Sequence, residues 1–323
     1  LVALAGVLFV AAGLMLLGQP SVSAQEEGDP PFLAEYYEAW VESPHADATA
    51  EAFIHWDAEG EVDAACARCH STPGYRDYMG ADGTEFGVVD AAAPLGTTVT
   101  CDACHAPAAA HLASVVMPSG VEVSETGDSA RCMVCHQGRA STDSVNAKLV
   151  ELNLVDTPDQ PSADLRFINI HYYAAAATLY GGEARGGYQY DGQVYMGRNM
   201  HVEGYTACAD CHNPHTTELR LTECATCHED VESVEDLRDI RMQGSNVDFD
   251  GDGDDNEGIA GEIEGMQEAL YAAMQAYASE VLCAPISYDS HTYPYFFNDT
   301  DCNGELDEAE AVLLDAVAGG RRI

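Results

Sequence analysis

The chain has 323 residues, with 55 acidic against 13 basic side chains and a formal net charge of −42. Hydrophobic residues make up 46% of it, enough to bury a core, so a disordered chain is excluded. Lys148 is the sole lysine, and no basic patch exists to meet phosphate, which excludes a nucleic-acid binder and docking on anionic lipid.

The first segment, Leu1 to Leu17, carries no charge, and Gly18-Gln19-Pro20 breaks it. Val22-Ser23-Ala24 then ends it with small residues before Gln25. This reads as a secretory signal peptide over residues 1–24, cut after Ala24. The alternative is an uncleaved membrane anchor, for which the apolar run is at the short limit of a span. Both readings place the remainder outside the cytoplasm. The acidic surface suits basic partners or a salty habitat.

Twelve cysteines in an exported chain predict disulfides by default. The spacing of ten of them points elsewhere. They fall as Cys66-Ala-Arg-Cys69-His70, Cys101-Asp-Ala-Cys104-His105, Cys132-Met-Val-Cys135-His136, Cys208-Ala-Asp-Cys211-His212 and Cys224-Ala-Thr-Cys227-His228. Each is C-x-x-C-H, the attachment motif of c-type haem. Twelve cysteines and twelve histidines in this length would produce about 0.02 such motifs by chance. The two thiols reach the two vinyl groups on one porphyrin edge, and the histidine then lies under the iron. Structural zinc also uses paired C-x-x-C units, but it does not require a histidine after every pair. Five c-type haems are therefore expected over residues 25–235.

Ser43-Pro44-His45-Ala46-Asp47, Cys211-His212-Asn213-Pro214-His215 and the run Arg131 to Arg139 accompany these motifs. On them the chain, from about Ser43 to Glu229, resembles the multihaem c-type cytochromes. The resemblance implies a mainly α fold with extensive irregular loops, wrapped around closely packed haems that pass electrons along a chain. It also implies redox proteins or extracellular electron acceptors as partners, and a homopolymer is an open expectation.

Five proximal histidines leave seven others: His45, His55, His111, His171, His201, His215 and His291. Each iron can thus receive a second imidazole. His215 follows His212 by three residues, a reach of about 10 Å at most. That cannot round a porphyrin to its far face, so His215 as a ligand must serve a neighbouring haem. The short step from Cys208 to Cys224 likewise predicts that the fourth and fifth haems are neighbours. His45, His171 and His201 are the other leading distal candidates, with His55 as a fifth and His111 and His291 weaker. Met117, Met196 and Met200 are alternatives that would raise a potential, or simply core filling. Bis-imidazole haems without methionine are expected at low potential.

The character changes over residues 236–323. Asp248, Asp250, Asp252 and Asp254 open like an EF-hand loop, with Gly253 at position six. Position twelve is Ile259, so a longer loop closing on Glu262 or Glu264, or a solvated acidic turn, are both open. A second run, Asp299, Asp301, Asn303, Glu305, Asp307 and Glu310, fits the whole pattern with Gly304 at six. One or two Ca²⁺ ions are expected, as structural braces. Between the runs Ile263, Met266, Leu270, Met274, Tyr277 and Val281 recur at three and four, predicting an amphipathic helix packed on the haem region. Cys283 and Cys302 remain, and in an oxidising compartment a disulfide between them is the simple expectation. Asn298-Asp299-Thr300 is a glycosylation sequon that abuts the acidic loop.

These features predict an electron carrier. A multihaem reductase of the nitrite or hydroxylamine type is the alternative, and it requires one iron with an open position. All five motifs end in histidine rather than lysine, which counts against the nitrite-reductase pattern.

Overall fold

The computed structural model describes residues 31–307 and residue 310, apart from 161, 163 and 243. The expected signal peptide lies outside the described residues. The fold is mainly α, with twelve helices that are mostly one or two turns long and three two-stranded antiparallel pairs among the described residues. No helix among the described residues is long and apolar enough to cross a membrane.

Helix α1 (Pro31–Val41) and the single turn α2 (Glu51–Ile54) lead into β1 (Glu61–Val62). Helix α3 (Ala64–His70) opens on Asp63, whose carboxylate accepts the Ala65 N–H at 2.8 Å. Ser71 then leaves the helical region, and its hydroxyl accepts the Gly74 N–H at 3.0 Å to start α4 (Thr72–Tyr78). A Cβ on Gly74 would stand 2.4 Å from the Ala67 backbone, so glycine lets α3 and α4 cross in contact. Strand β2 (Ala93–Pro94) pairs with β1. Helix α5 (Cys101–His105) ends because Pro107 disfavours helical backbone at Ala106, and the same proline starts α6 (Pro107–Ala110).

Strands β3 (Ser114–Val116) and β4 (Glu122–Ser124) form the second pair. Helices α7 (Ala130–His136), α8 (Thr142–Glu151), α9 (Ala175–Ala184), α10 (Cys208–Cys211) and α11 (Leu221–Cys224) follow. The longest helix, α12 (Ile259–Glu280), precedes the pair β5 (Ile286–Tyr288) and β6 (Phe296–Asn298).

The core explains how the short helices are aimed. Tyr75, Met79, Ala103, Met117, Met133 and Val134 belong to one buried cluster, and Val62, Ala67 and Ala93 to a second. Ala67, Ala103, Met133 and Val134 are the middle residues of the first three C-x-x-C motifs. On a helix, residues three and four apart share a face. Burying the middle residues leaves the following histidines open on the other side, while Cys66 and Cys135 pack at the edge of the core. Met117 is core, only 2% exposed, whereas Met196 and Met200 are exposed.

The C-terminal region departs from expectation in one respect. The apolar stripe of α12 is left open: Ile263, Met266, Leu270 and Val281 are exposed, only Glu262 and Ala278 are buried, and Tyr277 reaches the preceding region through its hydroxyl, which donates to Asp159. An aromatic seam makes the junction instead. Tyr172 and Phe167 meet Tyr295 at 6.4 and 5.9 Å between ring centres, and Phe167 meets Phe296 at 5.6 Å.

Candidate haem and metal centres

Four of the five motif histidines stand opposite a second imidazole. His136 faces His45 at 6.2 Å between ring centres, and His70 faces His171 at 5.8 Å. His105 faces His215 at 6.2 Å with the rings parallel to within 3°, and His228 faces His201 at 6.2 Å. Two imidazoles bound to one metal through bonds of about 2 Å each have ring centres roughly 6 Å apart, so these gaps fit an intervening iron.

Backbone carbonyls hold the motif rings. Nδ1–H of His70 donates to the Ala52 carbonyl at 2.8 Å, that of His136 to Tyr173 at 3.0 Å, and that of His212 to Thr217 at 3.1 Å. This fixes the tautomer and leaves the Nε2 lone pair free for a metal. Three of the facing rings, His45, His171 and His215, are also held towards the neutral form. Burial lowers the pKa of His45, with His136 adding to the effect, and burial lowers that of His215, with His105 adding. His171 is pushed down to about 4 by burial, then by Arg139 and His70, and its Nδ1 is buried without a hydrogen-bond partner. A neutral imidazole is the form that ligates.

One loop can serve two centres. Gly138 has φ of +82°, and a Cβ there would stand 2.7 Å from the Ile170 carbonyl oxygen. That close approach lets Arg139 N–H donate to the same carbonyl at 2.9 Å. The segment Ile170–Tyr173 thereby points His171 at His70 while its Tyr173 carbonyl holds His136. The turn after the fourth motif divides its work similarly. Thr217 holds His212, and Asn213 Oδ1 accepts the His215 N–H at 2.9 Å, presenting His215 to His105 instead.

The thiols show which motifs are neighbours. Cys69 and Cys135 meet, and so do Cys132 and Cys208. The partner thiol lowers Cys69 and Cys208 to about 6 and raises Cys135 and Cys132. The field of Cys224 also reaches Cys211, and that of Cys104 reaches Cys132. The third motif therefore lies amid the first, second and fourth, and the fourth lies beside the fifth.

Three histidines face no motif histidine. His55 Nδ1 is 2.9 Å from Glu51 Oε1, and its ring lies edge-on to Trp56. His111 is exposed at the end of α6, and His291 is exposed beside Asp289.

In the second acidic loop, carboxylate oxygens of Asp299, Asp301 and Glu310 converge within 4.8 Å, with Asp299 and Glu310 buried. Asp299 accepts the N–H groups of Asn303 and Gly304 at 3.1 and 2.8 Å, and Gly304 has φ of +82°. Glu310 accepts from Thr300 and thus closes the loop. In the first loop, Asp248, Asp250 and Glu262 form one cluster and Asp250, Asp252 and Glu257 another. Glu262 is the closing residue: it accepts the Phe249 N–H at 2.6 Å and is paired with Arg241 at 2.5 Å. Burial raises the Glu262 carboxyl, but Arg241 and the Phe249 and Asp250 amides outweigh it and lower the pKa. Glu264 is turned to Arg238 instead.

Asp254 is in neither cluster, and Glu257, which the loop pattern does not mark, is in one. A sign of it was present in the spacing of Gly261 and Gly265. A Cβ on them would strike the carboxylates of Glu257 and Asp250, so their bareness makes a cradle on α12. Cys283 and Cys302 are both exposed, each at a turn with left-handed backbone, φ of +51° and +62°.

Motif helices and opposed imidazoles are the parts a multihaem c-type cytochrome requires, and the chain is similar to known proteins of that class. The chain is 25% identical over 330 residues to the C-type polyheme cytochrome OmcB of Geobacter sulfurreducens, in two strains, with 84% of the chain aligned. It is 24% identical over 333 residues to the C-type polyheme cytochrome OmcC of the same organism. The match covers 39% and 38% of those proteins, so the chain spans about two-fifths of the length of these relatives. No family model and no solved structure matches.

Proposed function

We propose that this chain is an exported electron carrier holding five covalently attached c-type haems, mostly with two histidine ligands each. The observation that carries the reading is the set of four opposed imidazole pairs, each joining a C-x-x-C-H histidine to a residue far from it in sequence or serving another motif. When bound, each haem supplies a one-electron Fe(III)/Fe(II) couple. The chain's residues do the rest. Cysteines of the five motifs anchor the macrocycles. His70, His105, His136, His212 and His228 supply the lower ligand. His171, His215, His45 and His201 supply the upper ligand for the first, second, third and fifth motifs in turn. Thiol contacts between motifs support a branched relay centred on the third motif.

The two acidic loops are read as Ca²⁺ sites. Asp299, Asp301, Asn303, Glu305, Asp307 and Glu310 hold one ion; Asp248, Asp250, Asp252 and Glu262, with Glu257, hold the other. Their role is to brace the C-terminal region. The partners are other redox proteins with basic docking faces, as the charge of −42 favours.

The test is a haem count and a potentiometric titration of the holoprotein. Five haems per chain, low-spin and reducing at low potential, are expected. Fewer than five haems, or a majority of high-spin haem, would sink the reading.

A further inference from the structure

The fourth motif differs from the other four. All twelve histidines lie among the described residues, yet none of them faces His212. His212 is nevertheless set up as a ligand, because its Nδ1–H is held by the Thr217 carbonyl just as His70 and His136 are held by theirs. Its nearest neighbour in sequence, His215, is committed to His105. His55 lies against Glu51 and Trp56 rather than His212, and Met117 is sealed in the core.

We propose that the iron of the fourth motif takes its sixth ligand from outside this chain, as a nitrogen donor of the imidazole class or a small ligand that can replace one. The proposal rests on the haem reading above. Two sources share this chemistry: a free small molecule and the imidazole of a second copy. For the second source the structure holds a prepared donor. His55 is half-exposed and hydrogen-bonded through Nδ1 to Glu51 at 2.9 Å, so its Nε2 lone pair is unclaimed within the chain. A carboxylate behind an imidazole is the arrangement that raises ligand basicity.

The experiment uses carbon monoxide on the dithionite-reduced holoprotein after its haems have been counted. One CO per chain is expected, read as a Soret change in about one-fifth of the haem. The titration is run dilute, where sedimentation shows monomers, and again concentrated. Binding under both conditions supports the inference with a free small-molecule source. Binding in the dilute sample alone supports it with a second copy as donor, and His55→Ala should then restore CO binding in the concentrated sample. His215→Ala is the positive control and should add a second CO-binding haem. Five haems with no CO bound in either sample would overturn the inference alone, as would more than one CO in the unmutated chain. A count below five would fall on the reading of the motifs and take the inference with it.

Discussion

At the scale of single residues, two side-chain positions decide how the centres are completed. His215 lies three residues from His212 but faces His105, because Asn213 and Thr217 shape a turn that separates the two rings. In His215→Ala the haem of the second motif should lose its low-spin signature while the others keep theirs. Electron paramagnetic resonance reads this directly, and an unchanged spectrum would remove His215 from the ligand set. Gly138 is the second position. Its φ of +82° and its 2.7 Å approach to Ile170 make any Cβ strained and obstructed. Gly138→Ala should cost about 1–3 kcal/mol in stability. It should also perturb two haems together, since the displaced segment carries His171 and the carbonyl that holds His136. A melt and a redox titration of the variant that match the parent would contradict this account.

At the scale of elements, the motif helices α3 and α5 are short because their ends are specified locally, by Asp63 and Ser71 around α3 and by Pro107 after α5. The acidic loops are elements of another kind, in which carboxylates repel until a cation joins them. Burial and the fields of Asp250 and Asp252 raise the Glu257 carboxyl. At Asp250 the Asp252 amide pulls downward, but burial and neighbouring carboxylates win and raise it. Raised carboxyls hold protons to higher pH, and protons compete with the cation. Calcium affinity of the first loop should therefore fall as pH drops from 7 towards 5, with proton release on binding, measurable by calorimetry in two buffers. An affinity independent of pH would argue against Asp250 and Glu257 as ligands. In the second loop, Glu310→Gln should abolish one calcium site. At calcium a hundredfold above its dissociation constant, a site adds about 2.7 kcal/mol to stability, and the variant's melt should lose that increment.

At the scale of the whole molecule, the charge of −42 acts through its field rather than through any single pair. Exposed ion pairs such as Lys148 with Glu151 contribute little by comparison. Electron transfer to a basic redox partner should be fast at low ionic strength and slow steeply as salt rises. Stopped-flow rates over a salt series test this, and a flat or rising series would mean docking is not electrostatic. The proposed relay would likewise be a property of the whole, because motifs far apart in sequence meet through Cys69 with Cys135 and Cys132 with Cys208.

The sequence alone determined the parts whose chemistry is local. C-x-x-C-H carries both thiols and the imidazole within five residues, on one helical face in the first three motifs, so each motif is legible without a fold. The same holds for Asp299 to Glu310, a loop that carries its whole ligand pattern. Reach along the chain even barred His215 from its own haem. Which imidazole faces which depended on tertiary structure, because His45 with His136 and His70 with His171 are brought together by long loops that no spacing encodes. The fold also left His55 beside Glu51 and exposed the apolar stripe of α12. It set Glu257 against Gly261 in the first acidic loop and left His212 without a facing imidazole. For the facing imidazoles the deciding quantity is a distance between segments remote in sequence. That distance is set by how the core packs Ala67, Ala103, Met133 and Val134 behind the motifs.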